Sequence, residues 1–457
     1  MIRTSTHNIQ QSNTGKLSNL AILHNEYIRV CSQLIDYCWD NPVITSYTSS
    51  DNITHTTTFD VSRNLFDLPV FLPTNITKLA KINTFLTGKS LKSIITKVNG
   101  MLKASTTKQR KRIYQYNKLK QDGYTKKQLS QLIKKIKQNI PQKPNCSNIN
   151  MEYDTNCCKF YTTNKNNNEF NGVDGFLRLT AITKSKMNIC IPINMTRHSN
   201  KFKTIGKMKT SFLITPKKVD IRWDIPTPVL RTTGSIVGAD QGLLDVLTLS
   251  DTQVTTNEDI HGHTQKSILD KVCRKKRGSK AFKRAKQHQV NFVNWSINQL
   301  NFDNVKQVNL EDIWNINYKK NSCQMLKHWQ NTIIRDKLLS VCESLGVRVE
   351  KQASTYRSQR CSCCGQVRKS NRKGKTYTCH NCGLELDADL NASINLSMKL
   401  PEIPWNIRKL NLNRKGFYWT ANGIFSDNTY LDRLSDGRLQ SPSPKNLKQY
   451  KVNNVLV

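Results

Sequence analysis

Residues 234–251 read Gly234-Ser235-Ile236-Val237-Gly238-Ala239-Asp240-Gln241-Gly242-Leu243-Leu244-Asp245-Val246-Leu247-Thr248-Leu249-Ser250-Asp251. An apolar strand runs into Asp240, Gly242 lets the chain turn, and a second strand, Val246 to Leu249, returns. The pattern sets an acid on a central strand, where an uncompensated carboxylate is costly unless a cation neutralises it. An ordinary hairpin with a turn aspartate would read the same way.

Two further stretches repeat the theme. Val305-Lys306-Gln307-Val308-Asn309-Leu310-Glu311-Asp312-Ile313-Trp314 is a buried strand that again ends in an acid, Glu311. In Leu384-Glu385-Leu386-Asp387-Ala388-Asp389-Leu390-Asn391-Ala392-Ser393-Ile394-Asn395-Leu396 a helix begins near Asp389. Asp389 could be its N-cap, since aspartate is favoured there, and Asn391 and Asn395 could be polar helix positions. Taken together, Asp240, Glu311 and Asp389 are what a two-metal phosphodiesterase needs. Mg²⁺ binds through a few carboxylates, water and phosphate oxygens, and a pair of ions can clamp the attacking and leaving oxygens of an in-line displacement.

Between the second and third of these stretches lies a cysteine cluster. Cys361-Ser362-Cys363-Cys364-Gly365 and Cys379-His380-Asn381-Cys382-Gly383 make two C-x2-C knuckles, 14 residues apart. Glycine after each second cysteine lets backbone N–H groups turn toward thiolates. Four thiolates in tetrahedral array select Zn²⁺ and leave no open catalytic position. The spacing assigns Cys361, Cys364, Cys379 and Cys382 as ligands and leaves Cys363 and His380 outside the set. The remaining cysteines are scattered and read as small buried hydrophobes.

Bulk properties point to a polyanionic partner. The 457-residue chain has 71 Lys plus Arg against 32 Asp plus Glu, a formal net charge of +39. Such an excess speaks of nucleic acid, with a ribosomal or membrane-surface protein as the alternative. No segment is long and apolar enough to span a membrane, and the start lacks the apolar core of a signal peptide, so the chain is expected in a reducing compartment with free thiols.

Upstream, residues 16–40 have helical spacing in Leu17, Leu20, Leu23, Ile28, Val30 and Leu34. Residues 41–75 read as loops or short strands. Residues 86–140 are basic, carrying among others Lys103, Lys108, Lys111, Lys118, Lys126, Lys134 and Lys137, interleaved with Tyr114, Tyr116 and Tyr124; Leu129, Leu132, Ile133 and Ile136 give an amphipathic helix. A solvated face and a nucleic-acid groove are both open to it. Beyond the break at Pro141 to Pro144 and an Asn-rich loop to Asn171, short alternating runs at 175–180, 187–192, 211–214 and 219–223 suggest a small β-barrel. Residues 274–288 form a second basic stretch leading into a helix with Phe292, Val293 and Ile297. After residue 400 periodicity fades, and Ser441-Pro442-Ser443-Pro444 reads as a linker or disordered end.

The motifs resemble the transposon-encoded TnpB family and the compact type V CRISPR effectors. Gly238-Ala239-Asp240-Gln241-Gly242 is similar to their first RuvC motif, Leu310-Glu311-Asp312-Ile313 to the second, and Asp387-Ala388-Asp389-Leu390-Asn391-Ala392 to the third, in which the second aspartate is catalytic. Ala239 and Gln241 stand where Ile and Leu are usual, and Ser393 where a second Ala is usual. The resemblance covers about 175–400. It implies a multi-domain α/β chain with an RNase H-like RuvC core, an inserted zinc ribbon, an N-terminal basic helical lobe and a small β-barrel. The expected divisions are 1–145 (helical nucleic-acid recognition lobe, including some of a wedge), 146–232 (β-barrel wedge), 233–359 (first RuvC segment, with the basic helix), 360–383 (zinc ribbon), 384–400 (second RuvC segment) and 401–457 (tail). It further implies catalysis by Asp240, Glu311 and Asp389 with two Mg²⁺, one structural Zn²⁺, and guide RNA and target DNA as partners. The basic segment at 274–288 would lie along the guide–target duplex. Such a protein works in the cytoplasm of a prokaryote or the nucleus of a eukaryote. Two other readings remain: a nuclease-inactive RNA-guided DNA-binding repressor, and an RNA-independent RNase H-like resolvase or transposase.

Overall fold

The computed structural model describes residues 1–40, 45–48, 54–57, 76–139, 141–163, 172–185, 187, 189–313, 323–403 and 412–426. Trp314, most of 41–75, residues 164–171 and the Ser-Pro repeat after 440 fall outside them; the earlier portion of the Asn-rich stretch, expected as loop, instead carries two short strands, Met151–Tyr153 and Cys158–Thr162. The chain divides into two compact units, Met1–Pro226 and Thr227–Val457.

The first unit contains β1 (Ile2–Asn8), α1 (Thr14–Asp40), the strand pair β2 (Thr45–Thr48) and β3 (Thr54–Thr57), α2 (Ile76–Leu79), α3 (Gly88–Gln121), α4 (Ser130–Gln138), β4 (Met151–Tyr153), β5 (Cys158–Thr162), β6 (Gly175–Leu179), β7 (Ile189–Ile193), α5 (Arg197–Ile205), β8 (Lys207–Ile214) and β9 (Lys218–Asp224). The four strands expected from alternating runs are β6 to β9. They fall in two antiparallel sheets, β1-β9-β8-β4 and β5-β6-β7. The N-terminal strand had no sequence signal of its own. It pairs along its whole length with β9, Ile2 opposite Asp224 and Asn8 opposite Lys218. Apolar faces of α1, α3 and both sheets share one core, with Leu20, Leu23, Val30, Ile94, Val98, Leu177, Ile191 and Ile221 inside. The lysines at 103, 108, 111, 118, 134 and 137 stay exposed on α3 and α4, as the amphipathic spacing requires.

The second unit is built on a four-stranded sheet, β11-β10-β12-β13, from β10 (Ser235–Asp240), β11 (Thr248–Leu249), β12 (Val305–Asp312) and β13 (Arg348–Ala353). β10 and β12 run parallel, as do β12 and β13, while β11 returns antiparallel on β10. Parallel strands need crossovers. These are supplied by α6 (Gln265–Cys273) and α7 (Lys280–Asn298), and by α8 (Gln324–His328) and α9 (Asn331–Leu345). Val237, Ala239, Val308 and Leu310 of the strands meet Phe292, Val293, Ile334 and Leu338 of the helices in one core.

After β13 come β14 (Gln366–Val367), the small sheet β15 (Arg372–Lys373), β16 (Thr376–Thr378) and β17 (Glu385–Asp387), then α10 (Ala388–Ser397), and the pair β18 (Phe417–Thr420) and β19 (Gly423–Phe425). α10 lies directly on β10 because position 238 is glycine. A Cβ there would fall 2.8 Å from Leu396 Cβ and nearer still to the Ser393 carbonyl oxygen. Asn309 of β12 fixes the other end, donating from Nδ2 to the Leu396 carbonyl at 2.9 Å.

The linker reading of the tail needs correction for residues 412–426. β18 pairs with β14, Trp419 is buried, its Nε1 donates to the Pro401 carbonyl at 3.1 Å, and the Arg357 guanidinium sits 5.4 Å above its ring. Two short strands that build a sheet only with the two-residue β14 have too short an apolar run to announce themselves by periodicity.

Candidate active site and metal centre

Ala239 and Leu310 are register partners on neighbouring parallel strands, so Asp240 and Glu311 follow side by side at the C-terminal ends of β10 and β12. This is the edge of an α/β sheet where ligands are usually bound. α10, held by Gly238 and Asn309, delivers Asp389 in its first turn. Asp240 and Asp389 are 8% and 6% exposed. Burial, reinforced by the charges of Glu311 and Asp389, holds the Asp240 carboxyl well above the usual carboxylate range. Burial also pushes Glu311 up to about 7, against the pull of the Arg372 and Arg357 guanidinium groups. The structure thus brings the three acids into one electrostatic cluster.

It also separates Asp389 from its neighbour. Asp387 is the N-cap of α10, accepting from Asp389 N at 2.8 Å and Leu390 N at 3.0 Å. Asp389 is therefore free of capping and takes two cations, Arg372 Nη2 on Oδ1 at 2.9 Å and Lys375 Nζ on Oδ2 at 2.6 Å. Lys375 also pairs with Asp245 of the β10–β11 hairpin. Gln241 donates from Nε2 to the Glu311 carbonyl at 3.2 Å, while its buried Oε1 has no partner among the described residues.

Sequence reasoning missed Arg372, Lys375 and Asp245. The two cations sit in a short basic hairpin between the knuckles, which by itself reads as a solvated turn. Asn391 and Asn395, read as polar helix positions, are fully buried. Asn391 Nδ2 donates to the Arg360 carbonyl at 2.8 Å and its Oδ1 accepts from Ser362 N at 3.0 Å; Asn395 Nδ2 donates to the Arg357 carbonyl at 3.0 Å. α10 thereby grips the first knuckle, and the helix that carries Asp389 is bolted to the cysteine cluster.

The Sγ atoms of Cys361, Cys364, Cys379 and Cys382 all lie within 4.8 Å of one another, the one such group of His, Cys, Asp or Glu among the described residues. Cys361–Cys382 and Cys364–Cys379 are 3.5 and 3.6 Å apart. Thiolates about 2.3 Å from a tetrahedral ion lie roughly 3.8 Å apart, so the set fits Zn²⁺ with little adjustment. Gly365 N and Gly383 N donate to the Cys361 and Cys379 carbonyls at 3.0 and 2.9 Å, closing both knuckles. The three carboxylates stand further apart, in keeping with the Arg372 and Lys375 pairing.

Residues 333–396 match the family described as Cas12f1-like, TNB domain. The chain carries a Cas12f1-like TNB domain. A curated relative, the CRISPR-associated endodeoxyribonuclease Cas12f1 of Sulfoacidibacillus thermotolerans, is 34% identical over 92 residues, 20% of this chain and 21% of that protein. The match thus spans about a fifth of the relative's length. Among solved structures, a Cas12f1–sgRNA–target DNA complex aligns over 87% of this chain and 99% of that one, at 13% identity and a TM-score of 0.41. CasPhi-2 (Cas12j) bound to crRNA and phosphorothioate DNA aligns over 88% and 93%, at 8% identity and a TM-score of 0.45. No helix among the described residues is long and apolar enough to cross a membrane.

Proposed function

We propose that this chain is an RNA-guided DNA endonuclease with a single RuvC-type site on an RNase H-like core, in which Asp240, Glu311 and Asp389 hold two Mg²⁺ ions. The convergence of two buried acids, Asp240 and Asp389, and the half-buried Glu311 beside a Cas12f1-like TNB domain carries the reading. The ions, when bound, supply charge neutralisation at the attacking and leaving oxygens of a phosphodiester. The chain itself fixes the three carboxylates from two strand ends and one helix start. Gln241 adds an unpaired oxygen next to Asp240. Arg372 and Lys375 pair with Asp389 and balance its charge. Cys361, Cys364, Cys379 and Cys382 hold one structural Zn²⁺ that fixes the hairpin bearing those two cations.

The proposed division of labour follows the domains expected from sequence, with the N-terminal strand added to the wedge sheet. Guide RNA and target DNA would meet the lysine faces of α3 and α4 and the basic start of α7. A cleft of about 690 Å³ between α3 and β4 is lined by Lys89, Lys92 and Lys97 but also by Glu152 and Asp154, so its charges partly offset one another. The repressor reading is disfavoured because all three carboxylates are present, and the RNA-independent reading by the TNB domain.

The deciding experiment isolates the protein with its bound RNA, sequences that RNA, and tests Mg²⁺-dependent cutting of a matched duplex. Cutting that needs both the guide and Asp240 supports the proposal. Guide-dependent binding without cutting returns the repressor reading, and cutting without RNA returns the resolvase reading.

A further inference from the structure

A second gathering of metal-ligand side chains lies in the same unit and shares no residue with the carboxylate site or the ribbon. Between β11 and α6 the chain closes a tight loop. Glu258 bridges Thr264, Asp259 N donates to the His263 carbonyl and Gly262 N to the Asp259 carbonyl, both at 3.0 Å. Gly262, at φ +73°, supplies the left-handed residue the turn requires. The loop thus presents Asp259, His261 and His263 together, and α7 brings His288 against them.

The contacts gather these side chains around Asp259. Asp259 Oδ1 accepts from His261 N and His263 N, both at 2.9 Å, and Oδ2 lies 3.8 Å from His288 Nε2. The rings of His263 and His288 are 4.9 Å apart between centroids, those of His261 and His263 6.3 Å. His263 Nδ1 is 3.2 Å from the His261 carbonyl oxygen. A proton on that nitrogen leaves Nε2 as the lone-pair donor, the arrangement typical of ligating histidines. A cavity of about 240 Å³, lined by Asp259, Ile260, His288, Asn291, Phe292 and Trp295, opens onto the pair.

We propose that Asp259, His263 and His288, with His261 as fourth ligand, bind one divalent transition-metal ion of the Zn²⁺ or Ni²⁺ class. Imidazoles with one carboxylate suit these ions, whereas Mg²⁺ and Ca²⁺ demand oxygen. In a tetrahedral site with ligands about 2.0–2.1 Å from the ion, neighbouring ligand atoms lie roughly 3.3 Å apart. The His288–Asp259 pair therefore has to close by only about half an ångström. As they stand, no three of the four ligand atoms lie within 4.8 Å of one another. The exposed His261 ring and the half-exposed His263 ring can reach the ion by rotamer change. The bound ion would staple the loop to α7, which exposes Lys280, Lys283 and Arg284 in the two turns before His288. A transition metal would thus stiffen the segment proposed to track a nucleic-acid backbone, but binding of the ion does not depend on the nuclease reading.

The test uses the full chain without a histidine tag, its ribbon loaded with Zn²⁺, in excess Mg²⁺ so that oxygen-rich sites are occupied. Equilibrium dialysis against Ni²⁺ should find one more ion per chain in the native protein than in a His263→Ala/His288→Ala variant, with ribbon zinc unchanged in both. Asp259→Asn, which keeps a side-chain acceptor for the loop's N–H groups but loses the anionic ligand, should weaken binding by about tenfold or more. Equal Ni²⁺ stoichiometry and affinity in all three proteins, or no additional ion in the native one, overturns the proposal.

Discussion

The unit from Thr227 onward buries charged groups and wires them to one another; the unit ending at Pro226 keeps most of its charge outside an apolar core. In the former, Asp240 and Asp389 are nearly inaccessible, Asp389 is shared by Arg372 and Lys375, and Arg357 and Arg360 are buried too. In the latter, most lysines of α3 and α4 are exposed and no residue of α4 is buried. A buried charge depends on each partner, because removing one leaves the others desolvated and uncompensated. Exposed charges act through their sum and are screened by salt. Single substitutions should therefore be decisive in the second unit and weak in the first.

The sharpest contrast is between two aspartates two residues apart. Asp389→Ala should abolish Mg²⁺-dependent cutting. A metal's stabilisation of transition-state charge amounts to several kcal/mol, so a loss of about a thousandfold or more is expected. Asp387→Ala should cost the α10 cap, roughly 1 kcal/mol of stability, and leave the cutting rate within a few fold. Cleavage assays with RNA-guided binding measured in parallel separate the two. If Asp387→Ala is the inactive variant, the third motif is misassigned; if both variants cut, the carboxylate cluster is structural.

The ribbon comes next. A Cys361→Ser/Cys379→Ser double variant should lose its zinc by elemental analysis, because folding and metal binding are coupled in such sites. Asn391 and Asn395 tie the first knuckle to α10, so cutting should fall with the zinc while the β10–β12 sheet stays folded. A variant that lacks zinc yet cuts normally would show that the ribbon does not support the acids.

Neutralising four of the exposed lysines on α3 and α4 should do less. Nucleic-acid binding should weaken, and the slope of log affinity against log salt should flatten by about 0.7 to 0.9 for each phosphate no longer neutralised. No one lysine should dominate. A single lysine carrying most of the effect would break the comparison, since it would be acting like a buried group.

Legibility followed the same divide. The four cysteines stood out because a paired C-x2-C has few other uses, whereas Asp240 and Glu311 stood out only in combination with Asp389, since an acid after a strand also suits an ordinary turn. The strands β6 to β9 were visible through alternation. What stayed hidden was chemistry assembled from distant segments. Arg372 and Lys375 act on Asp389 only because the ribbon folds back over α10, and β1 is a strand only because β9 offers it an edge. The His-rich turn at 259–263 had no partner in sequence, since His288 arrives from another helix. Whether Asp387 or Asp389 caps α10 depended on backbone geometry that both residues satisfy equally by type.

The smallest expected effect tests the first unit where it does bury a titratable group. His7 of β1 is almost fully inaccessible. Its Nδ1 meets the Asn194 carbonyl at 2.9 Å and its Nε2 the Ser5 and Ser199 hydroxyls at 3.0 Å each, while Ser5 in turn accepts from Trp223 Nε1 at 2.8 Å. These contacts suit a neutral ring that donates from Nδ1. Burial lowers the His7 pKa from its ordinary 6.5, opposed by the Asn194 carbonyl and the charge of Asp220, which is itself paired with Lys218. The folded state therefore binds fewer protons than the unfolded chain below pH 6.5. The contribution of His7 is fully present above that pH and is lost as pH falls through the folded value. One group can change stability by at most about 1.4 kcal/mol per pH unit. Thermal unfolding between pH 7.5 and 5.5 should show a steeper acid loss in the native chain than in His7→Gln, which should be less stable at pH 7.5 but flatter. Carboxylates common to both proteins cancel in the difference. The cutting proposed for the native chain should be matched by the variant at temperatures where both are folded, since none of the three proposed metal-binding acids belongs to this unit. Parallel stability profiles would mean that the ring is charged in the fold despite its burial, and the first unit would then bury charge as the second does.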